Sequence, residues 1–266
     1  MLYDRPVPRN NIRVGALIPK HHFRADLSSQ PKQKRSGEAT EVKAHLPQVK
    51  PPMNTTLGDA KGGTDPGYNF RSSLAEYVRG QALPVDKLGH QPRLYALTRL
   101  VGRGLVYDDD VVYAAAWLHD LGVFIGHRPE DPVELSRWDN VGYAMKQAPA
   151  TLLQAGFPAT KVAQVVEAIR THQPHLSPSS IEGMILRDAD ILEQLGAIGI
   201  LRVAAKIGRD TRYSTFTDAT ATLRKALAEL PGKLHLDTAK TLAAPRIALL
   251  EAFLKELDQE ALGSLY

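Results

Sequence analysis

The chain has 266 residues, of which 43% are hydrophobic and 23% charged, a globular composition with room for one full domain and an appendage. It has no cysteine, which excludes disulfides, thiol catalysis and thiolate metal sites, and no stretch approaches the ~18 apolar residues of a membrane span. The formal net charge is +4, but residues 1–52 hold ten Lys or Arg against four Asp or Glu, so the rest carries −2 and a surface for a nucleic-acid polymer is not expected there. The first thirty residues lack the charged-then-apolar order of a secretory signal, and a cytoplasmic setting is expected.

Residues 1–70 contain eight of the eighteen prolines and keep neither a period of 2 nor of 3.6. Such a stretch cannot bury enough apolar surface to offset its ordering entropy, so a disordered basic leader is expected there. Met53, directly after Pro51-Pro52, is an alternative natural start. From residue 71 to 266 the pattern is helical almost throughout. Leu74, Tyr77 and Val78 mark a short amphipathic helix ended by Gly80, and Pro84-Val85-Asp86 opens a second that Gly102 and Gly104 stop. Asp108-Asp109-Asp110 supplies a cap and first-turn acids for a third helix over Val111–Leu121. A loop over 122–132 precedes two helices that flank Gly156-Phe157-Pro158. Ser177-Pro178-Ser179-Ser180 then caps a helix expected to run to about Ile207, and further helices follow near 217–229 and 238–262. The expected fold class is an all-α bundle of seven or eight helices.

The third helix carries the chemistry. In Val111-Val112-Tyr113-Ala114-Ala115-Ala116-Trp117-Leu118-His119-Asp120-Leu121-Gly122 a carboxylate and an imidazole sit side by side in an apolar run. Buried carboxylates need a partner, and a cation suits such a pair best. His90 upstream and an acid of Leu186-Arg187-Asp188-Ala189-Asp190-Ile191 downstream can complete a ligand set, although periodicity does not choose between Asp188 and Asp190. Without cysteine such a site takes harder or borderline divalent ions: Mn, Mg, Fe or Zn. His172 and His175 lie three apart at a helix end, where they can also serve the last carbonyls.

The order His90-x-x-Arg93, His119-Asp120-Leu121-Gly122, Ala189-Asp190 resembles the HD-domain metal-dependent phosphohydrolase superfamily. Asp188 through Ile200, then Arg202, is similar to a segment of a branch of uncharacterised bacterial and fungal HD-domain hydrolases, and Thr238-Ala239-Lys240, Arg246 and Glu251-Ala252-Phe253-Leu254 resemble its closing helix. The resemblance spans about residues 74–260. It implies an HD-domain helical bundle whose ligands are His90, His119, Asp120 and Asp190, with Asp188 just behind them. Dinuclear members carry further histidines, whereas Trp138-Asp139-Asn140-Val141-Gly142 has none, and Val123 stands where some phosphodiesterases place Lys; one metal per chain is therefore expected.

The implied reaction is hydrolysis of a phosphate ester of a nucleotide or other small phosphorylated metabolite by metal-activated water. Asp120 and His172 are the expected catalytic groups. Arg93, Arg187 and Arg202 are candidates for gripping phosphate. The alternatives are a di-iron oxygenase of the same superfamily and an idle helical module that binds a nucleotide. Assembly into a homo-oligomer is compatible with any of these.

Overall fold

A computed structural model describes residues 69–209 and 213–265. Met53 and the predicted leader up to residue 68 lie outside this range. The described residues form ten α-helices and no strand. In chain order they are α1 (Phe70–Gln81), α2 (His90–Val101), α3 (Asp109–Leu118), α4 (Pro132–Ser136), α5 (Asn140–Gln154), α6 (Val162–Thr171), α7 (Ile181–Glu193), α8 (Gly196–Ala204), α9 (Phe216–Glu229) and α10 (Asp237–Ala261). No described helix is long and apolar enough to cross a membrane.

Two differences account for ten helices where seven or eight were expected. The short α4 interrupts the expected loop, because Asp131 accepts hydrogen bonds from the amides of Val133 and Glu134 and Pro132 presets the first turn. The long helix expected to reach Ile207 breaks in two near Gly196, whose φ of +70° a side chain would resist. A Cβ there would also meet the Cβ of Arg246 at 3.0 Å. Arg246 in turn donates to the carbonyl of Leu192 at 2.6 Å, satisfying one of the acceptors that the end of α7 leaves open.

Helix α3 is the axis of the bundle. Every residue from Val111 to Leu118 is buried, as expected of a helix apolar all round, and α1, α2, α5, α6 and α7 pack about it. A fully buried Val or Leu in such a position contributes roughly 1.5–3 kcal/mol. Its start is fixed by Asp108, which accepts from the amides of Asp110 and Val111. Arg71 of α1 then bridges to Asp109 at 2.8 Å, Asp110 at 2.6 Å and the Tyr95 hydroxyl at 2.7 Å, tying three helices together. The end of α3 is set by packing: at Gly122 an added Cβ would lie 2.4 Å from the Asn140 carbonyl, so only glycine lets the start of α5 approach this turn.

Candidate metal centre

His119 and Asp120 lie just past the helix in which the pattern places them. His119 is the C-cap of α3, and Asp120 (φ −103°, ψ 16°) opens the turn over Leu121–Val123 that has Gly122 at its centre. The turn swings the carboxylate out of the core: the Asp120 side chain is 21% exposed while that of His119 is 1% exposed. His90 heads the first turn of α2, and Asp190 lies late in α7. Three separate elements thus deliver the four side chains to one place.

The proton positions follow from the partners. His119 Nδ1 lies 3.0 Å from the carbonyl of Ala116, which can only accept, so Nδ1 carries the proton and Nε2 a lone pair. His90 Nδ1 lies 3.3 Å from Glu193 Oε2. Glu193 receives two hydrogen bonds from Arg93 (2.7 and 2.9 Å) and one from Arg202 (3.2 Å). Burial would raise its carboxyl, but His90 and Arg93 outweigh this and hold it down at about 2, so it too only accepts. His90 Nε2 is therefore also a lone-pair atom, and it faces His119 Nε2 at 3.2 Å.

Around these nitrogens stand more acceptors. Asp120 Oδ2 is 3.7 Å from His90 Nε2 and 3.6 Å from His119 Nε2. Asp190 Oδ1 is 3.6 Å from His90 Nε2, while its Oδ2 is held by the Gln194 amide at 3.3 Å. Lone pairs converging in this way repel unless a cation lies among them. Two nitrogens each ~2.0–2.1 Å from one ion would stand roughly 3.0–3.4 Å apart, so the spacing of the imidazoles fits a metal. His90, His119 and Asp120 together could hold a divalent ion. Burial holds His119 down at about 4, keeping its imidazole neutral as a ligand requires. Burial pushes the Asp120 carboxyl up, yet His119, His90, His172 and Arg202 together draw it well below the usual carboxylate range.

The remaining expected residues divide. His172, 5% exposed, donates from Nδ1 to the Ile169 carbonyl and stacks edge-on against His119 with ring centroids 5.0 Å apart. Arg93 and Arg202 reach the centre through Glu193. Arg187 does not, and the expectation that it grips phosphate is corrected here. Its guanidinium is 3% exposed and is occupied by the carbonyls of Pro174 and Lys233 and by His235 Nδ1. Asp188 faces the same way, accepting from the amides of His235 and Leu236. The pair braces α7 against the entry to α10. His175 is exposed.

Glu193 went unassigned in the sequence. It follows Asp190 by three residues, which places both on one face of α7, and it stands in the apolar run Ile191-Leu192-Glu193-Gln194-Leu195. The burial argument that singles out Asp120 applies to it with equal force.

No protein-family model matches the chain. YpgQ of Bacillus subtilis (strain 168), itself described as uncharacterized, is 25% identical over 182 residues, covering 65% of this chain and 83% of YpgQ. The crystal structure of YpgQ in complex with ADP superposes with a TM-score of 0.55 at 26% identity, over 72% of this chain and 94% of that one. A predicted HD superfamily hydrolase from an uncultured Thermotogales bacterium gives a TM-score of 0.50 at 24% identity, over 71% and 91%. An HD-superfamily hydrolase from Bacillus thuringiensis gives 0.53 at 20%, over 72% and 95%. The architecture shared with these hydrolases is the HD-domain fold, and this chain has it.

Proposed function

We propose that the chain is a metal-dependent phosphohydrolase acting on a phosphate ester of a nucleotide or another small phosphorylated metabolite. The observation that carries this reading is the pair of imidazole lone pairs facing each other at 3.2 Å with two carboxylates beside them. His90, His119, Asp120 and Asp190 would hold one divalent ion, which when bound lowers the pKa of water and neutralises phosphate charge.

The chain's own residues supply the rest. Asp120 has a second carboxylate oxygen with which to orient a water for in-line attack. His172, its Nδ1–H tied to Ile169, keeps Nε2 as the atom that takes a proton from that water and returns it to the leaving oxygen. The new P–O bond forms from water as the ester P–O bond breaks, so the products are the phosphate and the alcohol. Arg202 hydrogen-bonds Glu193 through one terminal nitrogen, and the rest of its fork can meet a phosphate. Asp120, Asp190 and Glu193 against Arg93 and Arg202 leave one net negative charge; a divalent ion reverses it to one positive and draws an anionic substrate in. YpgQ, similar in shape, has been crystallised with ADP, which favours nucleotides among the phosphate esters.

The test is a screen of nucleoside mono-, di- and triphosphates for phosphate release with Mn, Mg, Zn or Fe. Activity that needs one of these metals and falls by ~10³-fold or more in Asp120→Ala is the expected result. Two irons per chain with oxygen uptake would replace the proposal with an oxygenase. Tight nucleotide binding without turnover would leave a binding module.

A further inference from the structure

We infer that Glu193 is a positioning residue: its carboxylate fixes the tautomer and orientation of His90, and through Arg202 it joins the metal centre to the phosphate-gripping group. The inference rests on the proposed metal site and adds to it a residue outside the ligand set.

An isolated neutral imidazole can carry its proton on either nitrogen, and a ligand must present the bare one. For His119 the backbone makes the choice, through the Ala116 carbonyl. His90 heads α2, and its own backbone N–H already takes up the Lys87 carbonyl three residues back. Its Nδ1 instead meets Glu193 Oε2 at 3.3 Å, a contact 103 residues away in sequence. Glu193 can serve as acceptor because it is itself immobilised. Arg93, one turn along α2 from His90, clamps it through two parallel hydrogen bonds of 2.7 and 2.9 Å. Arg202 of α8 adds a third at 3.2 Å to the same oxygen that receives His90. The carboxylate is 1% exposed, so water does not compete for it. A buried acid fully engaged by two guanidiniums and one imidazole is the kind of outer partner that orients a ligand and raises its basicity.

The arrangement also links two tasks. A phosphate drawn toward Arg202 shares that guanidinium with Glu193, so the group that meets the substrate and the group that orients a ligand are held by the same carboxylate.

The test uses the metal-free full-length protein near pH 7.5 and the long-range ¹⁵N–¹H spectrum of its histidine rings. Wild type should show His90 protonated at Nδ1; an Nδ1 without its proton there overturns the inference, whatever the variants do. Glu193→Met should shift His90 toward the Nε2–H form and weaken Mn²⁺ binding, measured by calorimetry, by about 10–100-fold. Glu193→Gln, which keeps an oxygen for Nδ1–H, should restore the tautomer and most of the affinity. If Glu193 only neutralises the arginines, Glu193→Met will lower the melting temperature and leave both tautomer and Mn²⁺ affinity within threefold. Failure of the metal site itself reads differently: wild type and His119→Ala would then bind Mn²⁺ equally weakly, while the tautomer spectrum still reports on Glu193.

Discussion

Asp188 and Asp190 stand two residues apart on α7 in different surroundings, and the duties proposed for them are ones that mutation can separate. Asp188 is completely buried, accepts from the amides of Leu236 at 2.7 Å and His235 at 2.9 Å, and lies 3.5 Å from Arg187. Asp188→Ala leaves two backbone N–H groups without a partner at about 1–3 kcal/mol each. It also removes the countercharge of the buried guanidinium, although Pro174, Lys233 and His235 still bind it. Burial raises the Asp188 carboxyl and lowers Arg187, so the ion pair by itself contributes little and the backbone hydrogen bonds dominate the loss. The expected cost is about 3–5 kcal/mol, with Asp188→Asn near half of that because one oxygen survives. Asp190, whose carboxylate accepts one hydrogen bond from Gln194 and stands 3.6 Å from His90, should cost under ~1 kcal/mol when changed to Ala. Urea unfolding of the metal-free variants measures both, and Mn²⁺ calorimetry on the same samples should show the reverse order, with affinity lost in Asp190→Ala and kept in Asp188→Asn. A Asp188→Ala protein within 1 kcal/mol of wild type, or one less perturbed than Asp190→Ala, would refute the assignment.

Mn²⁺ at 100 times its dissociation constant should stabilise wild type by roughly 2.7 kcal/mol in a thermal melt and leave His119→Ala unmoved. Gly122→Ala forces a Cβ to within 2.4 Å of the Asn140 carbonyl and should cost about 1–3 kcal/mol in urea unfolding, with the His119-Asp120 turn disturbed and Mn²⁺ affinity reduced. For Asp108, burial acts to raise the carboxyl, but the Lys161 contact at 2.7 Å and the amides of Val111 and Asp110 outweigh it and depress the folded value. Its charge therefore stabilises the fold above the unfolded carboxylate pKa of ~3.9, and that contribution fades as pH falls through the lower folded value. Asp108→Asn keeps the cap, so the stability gap to wild type, followed by circular dichroism, should be present at pH 6 and close toward pH 3.

The all-α architecture was legible because helical periods and their stops are local. Asp108 before α3, Ser180 before α7 and Gly156 after α5 act within a turn or two of their own position, and each does so here. The His119-Asp120 pair stood out for the same kind of reason, as polar groups where the neighbours allow none. The Asp188–Asp190 choice was different. Both lie in an apolar segment, and family likeness alone favoured Asp190, because which acid meets a metal depends on where α2 and α10 come to rest.

Sequence by itself determined the ingredients: amphipathic helices, the stops between them, and a short roster of imidazoles and acids too polar for their surroundings. Tertiary structure decided their partners. It turned Arg187 inward to brace a loop, broke the α7–α8 segment at Gly196, where φ is positive and Arg246 would crowd a Cβ, and brought Glu193 across 103 residues to His90. Hydrogen-bond partners chosen at such separations depend on how helices pack, and a linear pattern carries their spacing along each helix but not the angle at which two helices meet.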